Sequence, residues 1–148
     1  MREKVIEVLG EKTALMRKLR ELLGEELKAV VAKDFESLNA IISKLEELSL
    51  ELERVNGELE GVLQLHGEGV KLLDLLDVYG KDDEVVVTLS DFFKELNDLV
   101  FDVERLRGAI EFHLRYIDFL SGLGLKEILY QRDGTLRPES GNRFLGRS

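Results

Sequence analysis

Residues 38–62 read LNAIISKLEELSLELERVNGELEGV and carry the clearest periodic pattern in the chain. Apolar residues recur there every seven positions, in two rows that lie three residues apart. The first row is Leu38, Leu45, Leu52 and Leu59, and the second is Ile41, Leu48, Val55 and Val62. Because every position of both rows is apolar over four heptads, the pattern predicts an amphipathic helix over residues 35–65, about 45 Å long.

A second heptad pattern, broadened by aromatic residues, occupies residues 88–121. Its two rows are Leu89, Leu96, Val103, Ile110 and Ile117, and Phe92, Leu99, Leu106, His113 and Leu120. A stripe of this width is typical of a helix that packs on more than one neighbour. We expect this helix to begin at about residue 88, since the β-branched run at residues 85–87 forms helix weakly and Thr88 or Ser90 can cap a first turn.

The N-terminal segment, residues 3–33, has a looser apolar stripe. This stripe contains Leu9, Met16, Leu23 and Val30. Its complementary row includes charged residues, which favours an amphipathic helix of a bundle over a strict coiled-coil strand. No glycine or proline separates this segment from the next helix, so one continuous helix and a hairpin both fit the periodicity. Asp34 can cap a new helix, which favours a turn at Lys33-Asp34.

The shorter segments complete the expected fold. We predict a short extra helical segment at about residues 70–79, between the glycines that follow His66 and a loop at residues 80–83. The predicted fold class is all-α, an elongated antiparallel bundle of three long helices that forms a helical body over residues 1–125. An irregular C-terminal tail, residues 126–148, is expected to contain a turn at residues 133–134.

Composition excludes several classes of function. The 148 residues include no cysteine, which excludes disulfides, thiol catalysis and cysteine-ligated metal sites. The net charge of −9 argues against binding to nucleic acid or to an anionic membrane surface. No apolar run approaches the roughly 20 residues of a membrane-spanning helix, and the charged N-terminus lacks the core of a signal peptide. We therefore expect a cytoplasmic protein without membrane insertion.

The residues offer little chemistry for catalysis. His66 and His113 both fall in heptad positions, and neither follows a glutamate three residues earlier, as a carboxylate-bridged metal bundle requires. Phosphate-binding loops and nucleophile elbows are absent from the sequence. We predict that the protein is not an enzyme and needs no cofactor or metal. A ligand role for either histidine stays open beside the simpler expectation that each hydrogen-bonds within the bundle.

Residues 26–38, which read ELKAVVAKDFESL, resemble the junction between two helices in the FlgN-type flagellar export chaperones. Lys44 and Leu48 continue this similarity, and residues 130–134, which read YQRDG, are similar to the tyrosine and short glycine-ended turn of that family. The chain departs from the family at residues 104–108, which read ERLRG where paired asparagines are common. The resemblance is that of a divergent member and covers residues 3–135.

The resemblance implies a chaperone of type III flagellar export. Such a protein binds the C-terminal segments of hook–filament junction proteins, prevents their premature assembly and delivers them to the export gate or its ATPase complex. The alternative is a helical bundle for oligomerisation or scaffolding without an export client, and a homodimer stays open in either case. Candidate residues for client binding are Phe112, Tyr116, Phe119, Leu123, Leu125 and Leu129, with ordinary core and tail packing as the alternative. Tyr130, which matches the family tyrosine, is the candidate contact to the export machinery.

Overall fold

The computed structural model describes the backbone of residues 1–122 and the side chains of residues 1–116 and 118. This part of the chain is helical and contains no strand. Its elements are α1 (Arg2–Ala32), α2 (Phe35–Leu65), a single 3₁₀ turn (Leu72–Asp74), α3 (Leu75–Tyr79) and α4 (Asp83–Gly122). The all-helical class and the three long helices are confirmed. The predicted tail and the turn at residues 133–134 lie outside the described residues.

A turn separates α1 from α2, so the two are not one continuous helix. Lys33 adopts the left-handed conformation (φ 58°, ψ 35°), and its N–H donates to the carbonyl oxygen of Val30 over 3.2 Å. The next N–H, that of Asp34, donates to the carbonyl oxygen of Ala29 over 2.9 Å. The carboxylate of Asp34 then accepts a hydrogen bond from the backbone N–H of Ser37 over 3.1 Å. Asp34 is thus the predicted cap of α2.

Helix α4 begins at Asp83, five residues before the predicted start. Val85 lies fully buried in the core, and its N–H donates to Asp82 Oδ1 over 3.4 Å. Thr88 is already inside the helix, where its hydroxyl donates to the carbonyl oxygen of Glu84 over 2.8 Å. The predicted caps at Thr88 or Ser90 were therefore wrong. Burial of a β-branched side chain outweighs its weak helix propensity, because tertiary packing supplies most of the stability of a helix in a protein.

Helix α1 packs against both α2 and α4. Along α1 and α4 the contacts keep the same order: Arg2 pairs with Asp82 near both N-termini, and Lys33 lies over the ring of Tyr116 near the far ends. Glu11 of α1 pairs with Arg54, which lies two-thirds of the way along α2. Each of the two helices thus contacts α1 over a long part of its length.

The main hydrophobic core lies at one end of the structure, where α1 and α4 begin and α2 ends. Its buried members are Val5, Val8, Leu9, Leu15, Met16, Leu48, Val55, Leu59, Val62, Leu75, Val85, Leu89 and Phe92. Leu75 of the short helix α3 is fully buried and closes this end. None of the helices in residues 1–122 combines the length and the apolar character that a bilayer crossing requires.

Candidate functional site

One heptad row of α4, which contains Leu89, Val103 and Ile110, loses its cover toward the C-terminal half of the helix, whereas Leu106 of the other row stays buried. Leu89 is 1% exposed, whereas Val103, two heptads further along the same row, is 44% exposed, and Ile110 is also exposed. On α2 the side chain of Ile42 is 41% exposed, near the turn that joins α2 to α1. The apolar pattern therefore continues beyond the core into a region where the helices leave apolar side chains uncovered.

These uncovered side chains border an apolar groove between the α1–α2 turn and α4. The groove has a volume of about 300 Å³ and is referred to below as the distal groove. Its lining residues are Glu26 and Val30 of α1, Lys33 of the turn, Phe35, Leu38 and Ile42 of α2, and Ile110, His113 and Leu114 of α4. A volume of this size is at the lower end of ligand-binding pockets, which suits a few apolar side chains of a partner.

Two charged side chains and one histidine stand among the apolar groups of the distal groove. Burial raises the pKa of the Glu26 carboxyl, because a partly desolvated site disfavours the charged form. The Nζ of Lys33 lies 5.1 Å from the ring centre of Tyr116, a cation–π contact that joins the turn to α4. The ring of His113 packs edge-on against Phe112 with a centroid distance of 5.7 Å. The groove is thus an apolar surface with polar groups at its margins.

Other clefts of the structure suit a ligand less well. The two between α1 and α2 have volumes of about 430 and 330 Å³. They are lined mainly by charged and small side chains, including Glu25, Lys28, Lys44 and Glu47. Solvated charges of this kind lie on the outer faces of most helical proteins. The distal groove is therefore the candidate site.

An ion-pair cluster separates the core from the distal groove. The carboxylate of Glu95 is buried on α4, where Arg20 donates to it over 3.0 Å and Arg17 lies 3.4 Å away. Arg20 also reaches Asp102 over 2.8 Å and Asp98 over 3.6 Å. The hydrogen bonds to Asp102 and Glu95 raise the pKa of Arg20, so this guanidinium keeps its charge. The cluster ties the middle of α1 to α4.

The predicted site residues fall in different places. Phe112 is 65% exposed and does not line the groove, and Tyr116 sits beside the groove beneath Lys33. The side chain of Phe119 and the residues Leu123, Leu125, Leu129 and Tyr130 lie outside the described part of the chain.

Sequence reasoning missed the contribution of the hairpin to the site. Val30 and Leu38 both occupy heptad positions, and a heptad position by itself predicts packing in the core. Ile42 lies next to Ile41, which belongs to a heptad row. This additional apolar residue outside the rows was the signal in the sequence for an apolar surface beyond the core. Ile110 is exposed, although it belongs to a heptad row that the pattern assigns to the interior.

The two histidines differ in their surroundings. Both ring nitrogens of His66 have hydrogen-bond partners, the carbonyl oxygen of Val62 at 2.8 Å from Nδ1 and the hydroxyl of Tyr79 at 2.7 Å from Nε2. His66 therefore joins the end of α2 to α3. His113 is half-buried at the margin of the distal groove. Among residues 1–122 no three or more His, Cys, Asp or Glu side chains come together as a metal site.

No family model, curated protein or solved structure matches the chain. The similarity to FlgN-type chaperones therefore stays a prediction that rests on residues 26–38 and 130–134. The geometry of the distal groove is a second observation, which does not depend on that similarity.

Proposed function

We propose that the protein is a non-catalytic export chaperone of the flagellar type III kind, which binds hook–filament junction proteins in the cytoplasm and prevents their premature assembly. The observation that carries this proposal is the position of the segment with the family resemblance. Residues 26–38 supply Glu26, Val30, Lys33, Phe35 and Leu38 to the distal groove. The same short segment thus carries part of the resemblance and supplies more than half of the groove lining.

The proposed arrangement of the helices is an elongated bundle in which α2 is antiparallel to α1 and α4. The turn at Lys33-Asp34 and the pair between Glu11 and Arg54 support the opposite direction of α2. The pairs between α1 and α4, from Arg2 near the first turn onward, support a common direction for those two helices. Because the core concentrates at one end, such a bundle leaves its other end available to a client.

The proposed mechanism is the insertion of an amphipathic client helix into the distal groove. An amphipathic helix recognises a groove of this type by placing apolar side chains spaced three and four residues apart into it. Burial of those side chains contributes roughly 25 cal/mol per Å² of apolar surface removed from water. The same contact hides the apolar face that would otherwise drive the client to assemble, so binding and protection against assembly are one event.

Calorimetric titration with a C-terminal peptide of a hook–filament junction protein tests this function. We expect saturable binding, and we expect Ile42→Asp or Ile110→Asp to weaken it at least about tenfold, because a buried carboxylate opposes an apolar contact. Leu50→Asp is the matched control, since Leu50 is 68% exposed on α2 and does not line the groove. The proposal is overturned by the absence of heat and of co-elution with the wild-type chain, or by an equal loss in the control.

A helical bundle that self-associates without a client is the second candidate function. The observation that favours it is apolar surface on α4 outside the groove, where Phe101 and Phe112 are both strongly exposed. This candidate predicts a stable dimer or larger assembly by light scattering, which Phe101→Ser with Phe112→Ser would dissociate. It also predicts no binding of the client peptide, so one set of measurements separates the two functions.

A further inference from the structure

We propose that the distal groove selects amphipathic helices whose polar edges are basic. This inference rests on the proposed function, in which the distal groove binds the client. It adds that the client helix carries basic residues beside its apolar face. It follows from the charged side chains that border the groove on α2 and on α4.

The border on α2 is acidic. Ile42 lines the groove, and Glu46 lies four residues further on, one helical turn along the same face. Glu36, nearer the start of α2, follows the lining residue Phe35 by one position. Both carboxylates are exposed. This border, the α2 edge, presents two negative charges beside the apolar row.

The border on α4 is mixed and carries more acid than base. Glu104 and Glu111 each follow an exposed residue of the apolar row, Val103 and Ile110, by one position. Three further charged residues continue this border, the α4 edge, and they are Arg107, Arg115 and Asp118. Arg107 is already engaged with Glu111 over 3.3 Å. Five acidic and two basic side chains therefore border the groove on its two edges.

The charges on α1 do not reverse this balance. Glu26 and Lys33 both line the groove, and together they cancel. Lys33 lies over the ring of Tyr116. An arriving helix therefore meets an apolar floor between an acidic α2 edge and a mixed α4 edge that carries one more acid than base. Complementary charges at the edges of an interface mainly set partner choice and the rate of association.

The size of the expected preference for basic helices follows from the exposure of the charged side chains at the two edges. Each exposed ion pair contributes little by itself, and several together amount to about a tenfold preference in affinity. Such pairs are screened over a Debye length of about 10 Å at 0.1 M salt, so the preference shrinks as salt is added. The apolar contact in the groove is not weakened in this way. Varying the salt concentration therefore separates the contribution of the charged edges to the affinity from that of the apolar contact.

Two designed helical peptides test the inference on the full chain. They share one apolar face and a single tryptophan, and they differ only at the polar edges, which carry lysine in one peptide and glutamate in the other. The chain has no tryptophan, so the fluorescence of the peptide reports binding directly. At low salt we expect the lysine peptide to bind about tenfold more tightly than the glutamate peptide, and we expect this ratio to fall toward one at high salt.

A matched pair of double variants locates the effect. Glu36→Gln with Glu46→Gln removes the charge of the α2 edge and is expected to lower the preference about threefold. Glu47→Gln with Glu51→Gln makes the same change on the face of α2 that lines the cleft toward α1, and it should leave the preference unchanged. Equal binding of both peptides at low salt, or equal effects of the two double variants, would overturn the inference.

The remaining outcomes distinguish this inference from the proposed function. If the lysine peptide binds and the junction-protein peptide does not, the groove and its charge preference stand and the export function fails. If neither designed peptide binds, the groove is closed to added helices and the inference fails. Light scattering then shows whether a second copy is available to cover the groove.

Discussion

Arg20 donates a hydrogen bond from Nη1 to Oε1 of Glu95 over 3.0 Å, and this pair joins the middle of α1 to α4. Glu95 is one of the few buried polar residues in the described part of the chain. The pair lies at the boundary between the packed core and the distal groove. Its position makes it the contact that holds α4 beside α1 where the core no longer does so.

Arg20→Ala is expected to lower the free energy of unfolding by about 2 kcal/mol, because it leaves a buried carboxylate with a weaker partner. Arg17→Ala is the control, since Arg17 is more exposed and lies 3.4 Å from the same carboxylate. For the control we expect a loss of about 0.5 kcal/mol. Urea denaturation of both variants measures the difference, and equal losses would contradict the role assigned to Arg20.

Stability should depend on pH through Asp82. The hydrogen bond from Arg2 holds the pKa of the Asp82 carboxyl below its ordinary value, which is about 3.9 in an unfolded chain. The unfolded state then binds more protons than the native state in this range. The contribution of Asp82 is therefore present above the unfolded pKa and is lost as pH falls through the lower native value.

The measurement for Asp82 is the difference in unfolding free energy between the wild type and Asp82→Asn. We expect this difference to be constant near neutral pH and to shrink as pH falls below about 4. Asp91→Asn, on the exposed surface of α4, is the control and should show a small difference throughout. A difference for Asp82→Asn that grows in acid would refute the sign of the effect.

Tyr79→Phe should destabilise the end of the structure that contains α3. The hydroxyl of Tyr79 lies 2.7 Å from Nε2 of His66, and loss of one such hydrogen bond costs about 1 kcal/mol. Tyr116→Phe removes a hydroxyl while keeping the ring beneath Lys33, so its effect should be within about 0.5 kcal/mol. Thermal unfolding compares the two, and a Tyr79→Phe variant as stable as the wild type would show that the hydrogen bond to His66 does not stabilise this end.

The two ends of the structure should differ in their tolerance of truncated side chains. Leu9 is fully buried in the core, so Leu9→Ala is expected to cost about 3 kcal/mol. Ile42→Ala, in the distal groove, should cost less than about 1 kcal/mol because its side chain is partly exposed. Chemical denaturation measures both values. Amide hydrogen exchange should show stronger protection around Leu9 than around Ile42, and the reverse order would contradict the description of the core.

The helices could be predicted because their signals are local. The heptad rows of residues 38–62 and the capping carboxylate of Asp34 are properties of neighbouring residues, and α2 spans Phe35–Leu65 as expected. The start of α4 could not be predicted in the same way. Val85 is a weak helix former in isolation, and only its burial in a core built by other helices makes a helical start at Asp83 favourable.

The candidate site was predicted less well than the fold. The aromatic and apolar residues near the end of the last long helix indicated a partner surface, and the groove does lie against that helix. Its other wall comes from Phe35, Leu38 and Ile42, of which only Leu38 belongs to a heptad row. A heptad pattern records which side chains are apolar, and it contains no information on whether a partner helix covers them.

Local periodicity was sufficient for the helical class and the three long helices, and the capping side chain of Asp34 favoured the turn at Lys33-Asp34. Both signals depend on interactions between residues a few positions apart. The tertiary structure decided which part of each apolar row is covered. At one end α1, α2 and α4 meet and α3 closes the core with Leu75, whereas at the other end Ile42 and Ile110 face an open groove. This outcome depends on the approach of helices that are distant in sequence, so the same apolar heptad positions form a core at one end and an exposed surface at the other.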